Sequence, residues 1–128
     1  HDYTPKADGK MGGKAQAVYP RKNWSSSVLY NCDHPSNRKL TDKVVEVETP
    51  KFLHRFMWLE DEEIGALPLE FNFLAEEYDK PESLPFNIHH TLGPPIYRER
   101  LEVDYAGYWK EEFEKTFGRP FGEEDLIN

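Results

Sequence analysis

Two adjacent imidazoles, His89 and His90, stand in the run IHHTLGPP, Ile88 to Pro95. Ile88 leads into them as a β-former. Gly93, Pro94 and Pro95 follow, so the pair sits at a strand end beside backbone that cannot be helical. A neutral imidazole in such a place can ligate a divalent metal or hydrogen-bond a phosphate. An ordinary strand-end histidine fits the same residues, because no companion metal ligand is identifiable around it. A second run, YPRKNWSSSVLYN at Tyr19 to Asn31, carries a basic, proline-containing lead-in (Pro20, Arg21, Lys22), then Trp24 and Ser25 to Ser27, then Val28, Leu29 and Tyr30. The last three are β-formers and predict a buried strand fed by a polar loop.

The elements that must position these groups are short. Residues 1–17, with Gly9, Gly12 and Gly13 and few apolar side chains, predict an extended segment. Asp33, His34 and Pro35 predict a turn after the Val28–Tyr30 strand. A short helix follows, with Thr41 as its N-cap and Val44 and Val45 facing inward. Leu53 to Leu59 is an apolar segment, helical or irregular. Glu60 to Glu63 supply an acidic first turn for a helix carrying Ile64 and Leu67, which Pro68 ends. Phe71, Asn72, Phe73 and Leu74 begin apolar, polar, apolar in the manner of a strand. The strongest helical pattern is the last: from Asp104 as cap, Tyr105, Tyr108, Trp109, Phe113 and Phe117 recur at three- and four-residue spacings. Lys110, Glu111, Glu112, Glu114 and Lys115 fill the other face, with Lys110–Glu114 and Glu111–Lys115 as expected i, i+4 pairs. Gly118 and Pro120 stop it. The fold class is therefore α/β, with a small mixed sheet holding Val28–Tyr30 and Phe71–Phe73 and helices flanking it.

Composition narrows the function. The formal net charge is −8, which argues against a nucleic-acid surface because phosphate neutralisation needs Lys and Arg in excess. The charge is uneven: residues 1–43 are basic, while the acid excess lies in Glu60 to Glu63 and the C-terminal third. A basic face suits an anionic ligand or an acidic neighbour, or is simply a solvated surface. Cys32 is the one cysteine, so no internal disulfide forms, and its place after a strand predicts a small core residue. No run approaches the ~20 apolar residues of a membrane span. The chain begins with His; a fragment, a cleaved targeting sequence and a processed precursor all fit that. The expectation is a soluble or peripheral protein, intracellular or organellar rather than secreted. At 128 residues one domain can bury ~65% of its unfolded surface. Hydrophobic residues are only 38%, however, so burial must rest on aromatics, which reach 14%. Such a chain docks readily, and the Tyr105–Phe117 stripe is either core packing or a face for other protein subunits.

The runs HDYTPK (His1 to Lys6), YPRKNWSSSVLYN, LHRFMWLEDEEIGALPLEFNFL (Leu53 to Leu74) and IHHTLGPP resemble the C-terminal part of a bacterial and phage group of nucleotide-diphospho-sugar transferases, distantly similar to glycogenin-like retaining glycosyltransferases. The resemblance covers most of residues 1–97. It implies the later half of a GT-A-type domain, in which the missing N-terminal half holds the sugar nucleotide and an Asp-x-Asp metal motif. No Asp-x-Asp occurs in this chain. By resemblance, His89 is the metal- or phosphate-binding histidine. Trp24, Ser25 and Ser26 line the sugar, with hydroxyls on its OH groups and the indole on its ring; a polar loop with one anchoring Trp is the plainer account. Asp61, with Glu62, falls where such enzymes keep an acidic residue near the reacting sugar, although an acidic helix start explains it without catalysis. Asn72 matches the Asn of a Trp-Asn-Trp-Leu pattern, and Gly93 the first glycine of a His-x-Thr-Leu-Gly-Gly-Pro-Trp turn.

The departures cluster in the chemistry. Phe71 and Phe73 replace two indoles, Pro94 replaces a phosphate-cradling glycine, and Ile96 replaces an aromatic. The resemblance then implies a sugar-transferase-like segment on the acceptor and phosphate side, able to meet a nucleotide sugar but not competent alone, with manganese bound only if a donor half is present. The alternative is a non-catalytic interaction subunit of a larger, possibly organellar, assembly that docks through Tyr105, Tyr108, Trp109, Phe113 and Phe117.

Overall fold

The computed structural model describes residues 3–6, 9–10 and 14–127. Of the expected extended segment 1–17, His1, Asp2, Ala7, Asp8, Met11, Gly12 and Gly13 lie outside the described residues. The class is α/β, with short helices and a small parallel sheet. In chain order the elements are β1 (Gly9–Lys10), β2 (Lys14–Ala15), α1 (Asp42–Val47), α2 (Pro50–His54), β3 (Phe73–Leu74), β4 (Ile88–His89) and α3 (Ala106–Phe117), with single 3-10 turns between them. β1 pairs antiparallel with β2, and β3 pairs parallel with β4 in the register Phe73 to Ile88 and Leu74 to His89. The chain divides into two compact units: residues 1–4 with 17–71, and residues 5–16 with 72–128.

The first unit is organised by one guanidinium. Arg21 Nη1 donates to the carbonyls of Arg55 and Phe56, both at 2.7 Å, and Nη2 donates to Leu59 O at 3.0 Å and Asp61 Oδ1 at 2.5 Å. These carbonyls face inward because the chain leaves α2 through a left-handed Phe56 (φ 49°). Arg21 (φ 56°) and Asn23 (φ 67°) share that conformation. For non-glycine residues it costs roughly 1–2 kcal/mol each, which the bonds to Arg21 offset. Phe56 and Trp58 are buried and meet edge to face at 5.5 Å. Lys22 is also buried, its ammonium donating to Ala17 O at 2.7 Å and lying 4.8 Å from the Tyr19 ring.

Several expectations change here. Thr41 does cap α1, its hydroxyl accepting from Val44 N, but Val45 is exposed and Val44 only half-buried. The acidic run forms one 3-10 turn, Asp61–Glu63, rather than a helix, and Ile64 is already extended. Glu63 folds back to take its own turn's Glu60 amide (2.9 Å) and the Ser36 hydroxyl, contacts that close the turn instead of propagating it. Val28–Tyr30 has no regular secondary structure and joins no sheet, and Cys32 is exposed rather than buried.

The second unit packs on β3 and β4, where Phe73, Leu74 and Ala75 are buried and Leu74 and Pro95 are fully enclosed. Phe71 and Asn72 belong to a 3-10 turn (Leu69–Asn72) instead of the strand. α3 begins one step later than its pattern suggests, because Asp104 pairs with Lys80 Nζ at 2.7 Å while left-handed Tyr105 (φ 63°) occupies the cap position. Gly118 ends the helix at φ 69°, a value glycine adopts without the Cβ penalty. The helix's ion pairs differ from the expected i, i+4 set: Lys110 reaches Glu102 and Lys115 reaches Glu112. Its stripe splits. Tyr105 meets Phe73 at 5.7 Å, Phe121 caps Trp109 (5.3 Å) and Phe113 (5.2 Å), and Tyr108 and Phe117 remain 49% and 63% exposed.

Replacing Arg21 by lysine leaves carbonyls at Arg55, Phe56 and Leu59 that one ammonium cannot reach together. Urea unfolding of Arg21→Lys should show a loss of about 2–4 kcal/mol. Asp61→Asn should cost less than ~1 kcal/mol, because that carboxylate is 77% exposed. Equal losses would mean that the ion pair, and not the carbonyl cluster, holds the unit.

Candidate functional site

The parallel pairing of β3 with β4 brings together residues far apart in sequence. Asn72 ends the turn that precedes β3, and His89 ends β4. Asn72 Oδ1 lies 3.0 Å from His89 Nδ1. An amide oxygen only accepts, so in this contact Nδ1 is the donor. The strand continues into a turn in which Thr91 N donates to His89 O (2.9 Å) and Gly93 N to His90 O (3.1 Å). Gly93 is buried with φ 133°, a conformation that a side chain would strain. Of the residues singled out from sequence, Asn72 and His89 thus meet across the β3–β4 pair, and Gly93 lies in the turn that follows β4.

The neighbouring residues set its electrostatics. His90 is half-buried, and its Nδ1 is buried with no hydrogen-bond partner. Its pKa lies below the ordinary 6.5, chiefly because burial disfavours the imidazolium, and further because Arg100 and His89 are close. Arg100 forms an ion pair with Glu76, while its Nε is buried and unpartnered. The sequence reading missed Arg100. Its RER context reads as solvated surface, and only the fold brings it near β4.

This donor set does not fit a resident divalent cation. His89 offers one imidazole, and among the described residues no three His, Cys, Asp or Glu side chains converge. A manganese ion at His89 would need carboxylates from outside these residues.

The other sequence-predicted residues lie in the first unit. Asp61 is engaged by Arg21, whose guanidinium also lies 5.9 Å from the Trp24 ring. Trp24 Nε1 is buried without a partner. The Ser25 hydroxyl is 3.1 Å from His54 Nδ1, and the Ser26 hydroxyl donates to Asn23 O at 2.6 Å. Asp61 and Trp24 therefore share a cation, and both serines have contacts within their own unit.

Comparison with known proteins gives one informative match. Protein CDI of Arabidopsis thaliana is 49% identical over 120 residues, a stretch that covers 90% of this chain and 46% of that protein. The chain thus spans less than half the length of the relative it matches. No family model matches the chain, and no solved structure does. Among the described residues no helix is long and apolar enough to cross a membrane.

His90 makes stability depend on pH. Its folded pKa is below its unfolded value near 6.5, so the unfolded chain binds the extra proton first. The contribution is complete above pH ~6.5 and is lost as pH falls below that value. Urea midpoints should decline from pH 7 to 5.5 in the wild type, and His90→Gln should flatten that decline. An unchanged slope in the variant would remove His90 as the cause.

Proposed function

We propose that this chain is the acceptor- and phosphate-side segment of a nucleotide-diphospho-sugar transferase-like protein, and that it does not transfer sugar by itself. The observation that supports this most directly is the contact between Asn72 and His89. Each belongs to a separate run through which the sequence resembles that family, and the two side chains meet across the β3–β4 pair, ahead of the turn that holds the buried, positive-φ Gly93. The parallel register of β3 with β4 is what brings the two runs together.

The role follows from the chemistry. Asn72 orients the imidazole and fixes its tautomer, as a supporting residue does for a histidine that contacts a metal or a phosphate. His89 is the contact group, and the Gly93 turn lets the backbone approach a bulky anion. Trp24 with Ser25 supplies a ring and a hydroxyl of the kind that sugars bind. Asp61 serves to hold Arg21, which leaves the acid needed at the reacting sugar unaccounted for. With one imidazole at this position and, among the described residues, no cluster of metal-ligating side chains, the role proposed for this segment is contact with the substrate, the groups that polarise the departing diphosphate being supplied elsewhere.

A second reading, a non-catalytic interaction subunit, draws on the exposure of Tyr108 and Phe117 on α3. In that reading α3 is the face presented to other subunits, and Phe121 shields Trp109 and Phe113 within the chain.

Calorimetry of the 128-residue chain with manganese and a panel of uridine and guanosine diphosphate sugars should show no turnover and no tight binding. The intact Arabidopsis relative should hydrolyse or transfer one of them, and alanine at its positions aligned with Asn72 and His89 should lower that rate by about 10–100-fold. Turnover by the short chain would end the claim of dependence. Failure of the intact relative across the panel would end the sugar-transfer reading and favour the interaction subunit.

A further inference from the structure

We propose that residues 27–30 are an interior strand of a sheet whose other strands come from polypeptide outside this chain, corresponding to the part of the Arabidopsis relative beyond the matched stretch. Ser27 is extended (φ −147°, ψ 117°), and Val28 to Tyr30 continue without a turn or helix. Among the described residues no backbone hydrogen bond involves Ser27, Val28 or Leu29, and the Tyr30 carbonyl meets only the Cys32 thiol, at 3.8 Å. The two ends, by contrast, are fixed. Before the segment, Ser26 N donates to Asn23 O. After it, Asn31 O accepts from His34 N (3.1 Å) and Asn37 Nδ2 (3.0 Å), while Asn31 Oδ1 accepts from Asp33 N (3.2 Å). A short segment outside any helix or turn, held at both ends and with no backbone–backbone hydrogen bond from Ser27 to Leu29, is placed to accept a strand.

The side chains identify the kind of partner. Successive residues of a strand point to opposite faces, so Val28 and Tyr30 share one face and Leu29 takes the other. All three are apolar, and they are 40%, 80% and 44% exposed. An edge or half-solvated strand alternates polar with apolar; a strand apolar on both faces is one covered on both, as inside a layered α/β sheet. A second copy of this chain paired edge to edge would satisfy one line of amides but leave both faces bare. Polypeptide that supplies neighbouring strands and covering layers satisfies both needs. More than half of the relative's length lies outside the match, enough chain to supply them. The inference does not depend on the sugar-transfer reading, since it concerns backbone pairing and not ligand chemistry.

Hydrogen–deuterium exchange measures the pairing directly. In the 128-residue chain the Val28 to Tyr30 amides should exchange at nearly the unstructured rate. In the intact Arabidopsis relative the aligned amides should be slower by at least about 100-fold. Leu29→Lys should leave the urea midpoint of the short chain unchanged, and a lysine at the aligned position should lower the melting temperature of the intact relative. Equal, fast exchange in both proteins would overturn the proposal. So would a dimer of the short chain, seen by sedimentation, that Leu29→Lys dissociates, because the occupant would then be a second copy.

Discussion

The structure depends on how a chain with almost no repetitive hydrogen bonding satisfies its backbone. β1 to β4 each contain two residues, and α1 and α2 are six and five residues long. Ladders and helices therefore pair only a minority of amides and carbonyls, yet a buried unpaired backbone group costs as much as a lost hydrogen bond. Side chains take over. Arg21 gathers three carbonyls, Lys22 takes Ala17 O, and Glu77 takes the Lys6 amide at 2.7 Å. Lys22 and Glu77 are buried as a result, which is uncommon for charged side chains. Each of these buried charges meets a backbone group.

The same constraint explains which features were legible in the sequence. α3 was legible because a helix satisfies itself: its aromatic period and Gly118 suffice, whatever surrounds it. Thr41 was legible for the same local reason. β4 and its histidines were legible because Gly93, Pro94 and Pro95 fix the chain's course without long-range help. Asn72 and His89 were named separately from resemblance, and their meeting required the parallel register of β3 with β4. No pattern within either run encodes that register.

What the sequence misplaced depended on distant partners. Val28–Tyr30 has the composition of a buried strand, but a strand is defined by its neighbours, and this one has none among the described residues. Glu60 to Glu63 resemble a helix start, but Glu63 is recruited by Ser36 and its pKa lowered chiefly by that hydroxyl. The role of Arg21 was illegible because one arginine in a basic lead-in says nothing of three carbonyls 34 to 38 residues away.

Arg21 and Val28–Tyr30 lie in the same unit and show opposite outcomes of the same requirement. Around Arg21, three carbonyls share one guanidinium donor, and left-handed backbone at Arg21, Asn23 and Phe56 accompanies the arrangement. A few residues later, from Ser27 to Leu29, the backbone has no backbone–backbone hydrogen bond among the described residues, and Val28, Leu29 and Tyr30 are all apolar. Exposed strand edges are commonly protected by lysine and proline. Neither residue occurs between Ser25 and Asp33, so this segment combines the composition of a strand that packs on both faces with none of the residues that guard an open edge.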